Sequence, residues 1–456
     1  MSKVFGPGPY KTLKTLKTHD GQEVPFYIVS FDKFGSLLSR ETERELIEKA
    51  TEFSDIFLFS HGWNNDWSWA TQRYENFFEE YSKLRKNKNI SMPDTYKPMM
   101  IGVFWPSTAL VFGESERGPV IKGKKSPLQE DDYSEDQYLM DINEVAEFFE
   151  KDNRENLYAL IQDDNLSYDN ALRLAELVLN ITSDSKGEKH TNSGEEKISA
   201  QEIVDIWIEN SQFDPPPYDA NAQIMGQQIQ KKNSILTKLD PRQIIRLLTV
   251  AIMKDRAGTV GYNGVGVVLQ KLLDKTGARI HLIGHSYGAK VVLSALSATS
   301  PTSRNVHSAL LLQPAISYLA FAEKIPKQDW KGGYHTLLNR VNAPILSTFS
   351  SHDIALHTFF HRALRRKNDL GEHNIKAAGN PSIPNIYAAL GGYGPQNSGE
   401  NIINLQPPGN PYELNDNIRI YGLNGSVEKK IGGHGDIISP YTAWALYTLV
   451  TYKMAD

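Results

Sequence analysis

Residues 280–288 read Ile-His-Leu-Ile-Gly-His-Ser-Tyr-Gly, and this stretch decides the predicted fold. The mostly apolar run Ile280–Ile283 precedes a G-x-S-x-G pattern, and the residues after the pattern continue with helical character. A strand that turns sharply into a helix forces the residue at the turn, Ser286, into a strained backbone conformation. Gly284 and Gly288 carry no Cβ, so the strand and the helix can pass closely. The pattern therefore predicts an accessible serine hydroxyl at the carboxyl edge of a sheet, beside a helix N-terminus that favours negative charge.

Short apolar runs elsewhere in the chain predict the other strands of this sheet. Each run is ended abruptly by polar residues, as in a strand that is buried on both faces. Helical patterns separate most of the runs, and this alternation predicts an α/β fold with a mostly parallel sheet. The predicted strands are Val24–Phe31, Ile56–Phe59, Met99–Trp105, Arg279–Gly284, His307–Leu312, Pro344–Phe349 and Ile418–Leu423; the predicted helices are Glu41–Thr51, Ser68–Leu84, Val265–Lys275, Ser286–Ala298, Ile354–Arg366 and Tyr441–Tyr452.

One long segment interrupts the alternation of strands and helices. We expect residues 1–107 and 240–456 to form the α/β core, and residues 108–239 to form a mainly helical insertion. Between residues 126 and 186 the insertion carries 16 acidic against 4 basic side chains. A charge run of this kind usually faces solvent, but an insertion that leaves the carboxyl end of a strand can also cover a site as a lid. Both interpretations stay open.

Composition excludes several classes of protein. The chain has 456 residues, of which 40% are hydrophobic and 23% charged, which is typical of globular proteins. A net charge of −5 argues against a nucleic-acid binder. The absence of cysteine excludes disulfides, a thiol nucleophile and cysteine-ligated zinc. We find no apolar run long enough for a membrane helix and no signal peptide, so we expect a cytoplasmic protein without a cofactor.

A serine nucleophile needs a base, and the base needs a carboxylate that orients it. Asp353 directly follows the predicted strand Pro344–Phe349, and the alternative role for it is to cap the next helix. His434 lies in a glycine-flanked loop between the last strand and the last helix, and the alternative there is an ordinary surface loop. The histidines that follow Ser286 are His307, His335, His352, His357, His361, His373 and His434.

A second loop offers donors for the negative charge that develops during acyl transfer. The segment Phe59-Ser60-His61-Gly62-Trp63-Asn64-Asn65 ends the predicted strand Ile56–Phe59. Two backbone N–H groups are needed to bind an oxyanion. We assign them to Trp63, where Gly62 lets the backbone approach, and to Tyr287, which follows the nucleophile. The alternative is an ordinary turn that packs the tryptophans of this region into the core: Trp63, Trp67 and Trp69.

Together these features resemble the α/β-hydrolase superfamily. More narrowly, the chain is similar to a bacterial hydrolase family whose motifs read HGFNN, FSWPS and GHSMG, over residues of about 20–107 and 245–456. The chain has Trp63 for Phe and Tyr287 for Met, at positions where the backbone N–H would act. The resemblance implies a Ser–acid–His order along the chain, and it supplies no substrate. Our own expectation is a serine hydrolase that cleaves a carboxylic ester of a small-molecule acyl substrate through an acyl-enzyme. The residues that the resemblance assigns are Ser286, Asp353 and His434 as the triad, Trp63 and Tyr287 as oxyanion donors, and His61, Gly62, Gly284 and Gly288 as supports.

Several alternatives to an esterase stay open at this point. The same triad serves amidases, peptidases and thioesterases, and a binding or effector protein can retain the fold without catalysis. His357 and His361 lie four residues apart on a predicted helix, as zinc ligands can, although Thr358 stands where a metalloprotease has glutamate. The acidic insertion would discourage contact with anionic lipid, so we expect a soluble acyl substrate rather than a bilayer. Protein partners cannot be inferred.

Overall fold

The chain divides into two compact units, residues 1–137 with 250–456 and residues 138–249. In the second unit, helices Lys151–Ile161 and Tyr168–Ser183 pack against each other and bury Leu157 and Leu174. Most of the acidic insertion and most of the predicted helix Ile354–Arg366 lie outside the described residues. The computed structural model describes residues 7–17, 23–63, 65, 67–87, 92–93, 95–107, 142, 146, 149, 151–161, 166–183, 199–201, 204, 241–326, 330–353, 355–356 and 388–453.

The described strands form a nine-stranded sheet in the order β1-β2-β4-β3-β5-β6-β7-β9-β8. Only the pair β1–β2 is antiparallel among them. The α/β class and the mostly parallel sheet predicted from the sequence are therefore confirmed. The strands are β1 Lys11–Lys17, β2 Glu23–Ser30, β3 Asp55–Ser60, β4 Pro98–Phe104, β5 Arg279–His285, β6 Ser308–Leu312, β7 Ile345–Phe349, β8 Asn401–Asn404 and β9 Ile420–Asn424.

Helices cover both faces of the sheet. Because side chains alternate across a strand, Ile56 and Leu58 of β3 enter one core, whereas Phe57 and Phe59 enter the other. This double burial explains why β3 is a continuous apolar run. The helices are α1 Arg40–Lys49, α2 Trp67–Asn87, α3 Lys151–Ile161, α4 Tyr168–Ser183, α5 Pro241–Val260, α6 Gly266–Lys275, α7 Tyr287–Ala298, α8 Leu390–Tyr393 and α9 Pro440–Thr451, with a π-helical turn, Gly261–Val265, between α5 and α6.

The amino edge of the sheet holds a buried polar network. Nε2 of His281 donates to Asp55 Oδ1 at 2.9 Å, and its Nδ1 lies 2.8 Å from Ser308 Oγ. Arg279 pairs with the same Asp55 oxygen at 2.6 Å. His307 lies beside His281 and donates to the carbonyl of Leu449 at 3.2 Å. Every polar group in this paragraph has a partner within the core, so the network neutralises buried charge.

This network predicts a loss of stability in acid. Burial, reinforced by the neighbouring His281 and Arg279 charges, lowers the pKa of His307 from 6.5 to about 3. Between those values the unfolded chain binds a proton that the folded chain does not, so the free energy of unfolding falls as the pH falls. The contribution of one such histidine is about 1.4 kcal/mol per pH unit. In His307→Gln the amide can still donate to Leu449. We expect the free energy of unfolding, measured with urea, to fall between pH 6 and 4 by about 1.4 kcal/mol per pH unit less than in wild type. An unchanged slope would contradict the assignment.

Candidate active site

Ser286 lies at the turn between β5 and α7 with φ 55° and ψ −124°, a conformation that non-glycine residues rarely adopt. Such a conformation costs about 1–3 kcal/mol and persists only where the surroundings hold it. Here the Ser286 amide donates to the Leu312 carbonyl at 3.1 Å. Its own carbonyl accepts from the amides of Ala289 and Ala315, at 3.1 and 3.2 Å. The hydroxyl is thereby fixed at the carboxyl edge of the sheet.

The two glycines of the pattern allow this turn to form. A Cβ on Gly284 would lie 2.5 Å from Cα of Ala289 in α7. A Cβ on Gly288 would lie 2.1 Å from the carbonyl oxygen of Ser60, at the end of β3. Both contacts are with backbone, which cannot yield as a flexible side chain can. The close approach of strand and helix that the sequence implied at these glycines is present.

The structure brings Ser286, His434 and Asp353 together into one chain of hydrogen bonds. Nδ1 of His434 donates to Asp353 Oδ2 at 2.8 Å, which leaves Nε2 as an acceptor. The Ser286 hydroxyl lies 2.9 Å from that Nε2 and can donate to it. Asp353 is fully buried, whereas the His434 side chain is 14% exposed. The arrangement therefore places a base, with its tautomer fixed, beside the hydroxyl.

Asp353 uses its two oxygens for different purposes. Oδ1 accepts from the backbone amide of Leu356 at 3.1 Å, a contact of the helix-capping kind. Oδ2 accepts from His434 and also from Nε2 of Gln313, at 2.9 Å. The two roles that the sequence left as alternatives, capping and orienting, are thus both geometrically possible at once.

Gln313 is a site residue that the sequence analysis missed. It directly follows β6, has φ 44°, and is fully buried. Its side-chain amide donates to both Asp353 and the carbonyl of Gly391, at 2.9 and 3.1 Å, so its orientation is fixed by two acceptors. Its Oε1 is buried without a hydrogen-bond partner. No sequence motif identifies this residue. Gln313 could have been found only from its place directly after β6, the neighbour of the strand that precedes Asp353.

The His61–Trp63 loop lies directly against Ser286. A Cβ on Gly62 would lie 2.6 Å from Cβ of Ser286. His61 is buried, and burial lowers its pKa to about 3, so it is neutral. Its Nδ1 donates to the Gly62 carbonyl at 2.8 Å, and its ring stacks on Trp105. These contacts hold the loop close to the hydroxyl.

The two residues predicted to donate to an oxyanion, Trp63 and Tyr287, lie on the loop after β3 and at the start of α7. Within the described residues, the backbone N–H of Trp63 has no hydrogen-bond acceptor. Tyr287 directly follows Ser286 and is the first residue of α7. The alternative of a tryptophan cluster fits only in part, because Trp63 and Trp67 pack on opposite cores and Trp69 is 50% exposed.

The other candidate histidines lie elsewhere. His307 belongs to the amino-edge network, His335 contacts the Phe321 carbonyl, and His352 contacts the Ser426 carbonyl. His357, His361 and His373 lie outside the described residues. Within the residues that are described, no group of three or more His, Asp or Glu side chains is arranged to hold a metal ion.

Comparison of the chain with known protein families, with curated proteins and with solved structures finds no match. In the described parts of the chain, no helix combines the length and the apolar character needed to cross a bilayer.

The close contact at Gly62 leads to a prediction. In Gly62→Ala the new methyl group would overlap Ser286, and either the loop or the serine must move by about 1 Å. A displacement of that size costs a reacting site on the order of 100-fold. We expect labelling of Ser286 by a fluorophosphonate to slow by about this factor. Gly433→Ala is the matched control, since a Cβ there meets nothing within 4 Å and labelling should stay at the wild-type rate. Equal rates in the two variants would contradict the prediction.

Proposed function

We propose that this chain is a serine hydrolase of the α/β-hydrolase type, and that it cleaves a carboxylic ester through an acyl-enzyme. The observation that carries the proposal is the geometry at His434, with Nε2 2.9 Å from the Ser286 hydroxyl and Nδ1 2.8 Å from Asp353. The strained turn and its close glycines add support, because strain of this kind concentrates at functional sites. The nine-stranded, mostly parallel sheet is compatible with this type of fold.

The first half of the reaction forms the acyl-enzyme. His434 Nε2 takes the proton of the Ser286 hydroxyl while Oγ attacks the ester carbonyl carbon, and the carbonyl π electrons move to oxygen. The resulting imidazolium lies between the hydroxyl and the buried Asp353 carboxylate, which stabilises its positive charge. When the tetrahedral adduct collapses, the bond to the alkoxy group breaks. His434 then donates its proton to the departing alcohol.

The second half releases the acid. Water replaces the alcohol, His434 takes a proton from it, and the hydroxide attacks the acyl carbon. Collapse of the second adduct breaks the bond to Oγ, which regains a proton from His434, and the carboxylic acid leaves. In both halves the oxyanion would be bound by the N–H groups of Trp63, in the loop after β3, and of Tyr287, at the start of α7. A soluble or single-molecule ester is the proposed substrate.

The proposal is tested by treating the full chain with a fluorophosphonate probe and with p-nitrophenyl esters of increasing acyl length. We expect one labelled serine, Ser286, and hydrolysis that the probe abolishes in proportion to labelling. Matched thioester and anilide substrates separate an esterase from a thioesterase or an amidase. Absence of both labelling and hydrolysis would overturn the proposal in favour of a binding protein. Activity lost to a chelator but not to the probe would overturn it in favour of a metal-dependent hydrolase.

A further inference from the structure

His285 and Arg73 have no part in the mechanism above, although His285 contacts the proposed base His434 and Arg73 contacts His285. His285, the last residue of β5, is buried, and its Nε2 lies 3.0 Å from the backbone carbonyl oxygen of His434. Arg73 of α2 reaches the other ring nitrogen, with its guanidinium 3.1 Å from Nδ1. A guanidinium can only donate and a carbonyl can only accept. The geometry therefore fixes the neutral tautomer of His285 that carries its proton on Nε2.

In the loop that carries His434, the described backbone hydrogen bonds of residues 432–436 close within the loop itself, except for the one to His285. Glycines occupy positions 432, 433 and 435, and a Cβ at either of the last two would meet nothing within 4 Å. The Gly432 amide bonds to Asp436 inside the same loop. In the described part of the chain, the His285 contact is the hydrogen bond that ties the His434 backbone to the sheet.

The surroundings of His285 favour its neutral form. The groups that face it are Arg73 from α2, the His434 ring from its loop, and His61 from the loop after β3. Burial, and then the Arg73 charge, lower the pKa of His285 well below its ordinary value. Within the described residues Arg73 contacts no carboxylate, so its hydrogen bond is directed to His285 alone.

We infer that His285 and Arg73 are positioning residues for the proposed general base. Arg73 holds Nδ1 of His285 as an acceptor, and the N–H that this leaves on Nε2 pins the His434 backbone so that its ring reaches Ser286. The inference rests on the proposed function, since it gives His434 a catalytic role. It predicts that turnover depends on where the side chain of residue 285 places its N–H donor. The size and polarity of that side chain should matter little.

A pair of variants separates positioning from packing. In His285→Gln the amide nitrogen reaches the place of Nε2 and can still donate to the His434 carbonyl. In His285→Asn the amide ends near the place of Nδ1 and cannot. We expect kcat of the Gln variant to stay within about threefold of wild type. We expect kcat of the Asn variant to fall about 100-fold with KM little changed, because His434 is then no longer held in its position beside Ser286. Equal kcat values for the two variants would overturn the inference.

A spectroscopic measurement keeps the inference testable even if a variant is unstable. In full-length protein labelled with ¹⁵N-histidine, the signals of His285 are those absent from His285→Gln. We expect them to show the Nε2–H tautomer and no titration between pH 5 and 8. In Arg73→Met the Nδ1 signal should shift because Nδ1 loses its hydrogen-bond donor, whereas Arg73→Lys, which keeps a donor, should restore the wild-type spectrum.

The opposite tautomer in wild type, or an Arg73→Met spectrum that matches wild type, would overturn the inference. The NMR spectra do not depend on turnover, so they test the role of His285 and Arg73 separately from the proposed function. If the proposed function were wrong, the wild-type chain would neither react with the fluorophosphonate nor hydrolyse the esters.

Discussion

Ser286→Ala is expected to abolish fluorophosphonate labelling and to lower ester turnover by about 10⁴–10⁶-fold, the usual cost of removing a triad member. The change deletes only Oγ, whose hydrogen bond goes to His434. The bonds that hold the turn come from the backbone of residue 286 and are kept: to Leu312, Ala289 and Ala315. Alanine meets the same strain at positive φ as serine does. Thermal unfolding should therefore shift by about 2 °C or less.

Ser308→Ala is the matched control for that experiment. Ser308 also lies beside a histidine that is bonded to an aspartate, His281 with Asp55, but at the amino edge of the sheet and fully buried. Labelling and turnover should survive its removal. Labelling that persists in Ser286→Ala would defeat the assignment of the nucleophile, and labelling that disappears in Ser308→Ala would move the reaction to the other edge.

Asp353→Asn is expected to lower turnover by about 10⁴-fold while the melting temperature changes little. Asn keeps an oxygen for the Leu356 amide, so the cap is retained. In place of Oδ2, however, it presents an N–H₂ to His434 Nδ1–H and to the Gln313 amide, both of which are donors. The imidazole must then carry its proton on Nε2, where it can no longer accept from Ser286.

Kinetics and stability together decide the outcome for Asp353. Turnover near that of wild type would show that Asp353 serves only as a cap and would move the orienting role elsewhere. Asp353→Ala is the comparison, because it removes both contacts and should lower stability as well as turnover. If Asp353→Asn and Asp353→Ala lost the same stability, the bond from the Leu356 amide to Asp353 would make no measurable contribution to stability.

The turn at Ser286 and the central strands could be predicted from the sequence because each has a local signal. Ile280–Ile283 is mostly apolar, and the two glycines that flank Ser286 mark a sharp turn directly after it. Asp353 and His434 could be selected as candidates from their places after predicted strands. Their mutual contact joins segments 81 residues apart and is a property of the sheet order.

Other features lack any local signal. The edge strand β1, with the sequence Lys-Thr-Leu-Lys-Thr-Leu-Lys, is mostly polar, and β8 is only four residues long, so neither forms an apolar run in the sequence. Arg73 lies in a polar stretch of α2 that reads like any exposed helix face. Its contact with His285 spans 212 residues, and only the packing of α2 on the sheet creates it.

The position of β3 also affects how the chain is made. β3 pairs with β4 on one side and with β5 on the other, but β5 follows about 220 residues later in the sequence. At a synthesis rate of about 5–20 residues per second, a ribosome delivers β5 roughly 10–45 s after β3. Throughout that interval the apolar strand Asp55–Ser60 has an unpaired edge, the kind of surface that recruits other chains. Slower translation therefore lengthens the time for which this strand edge is open to pairing with other chains.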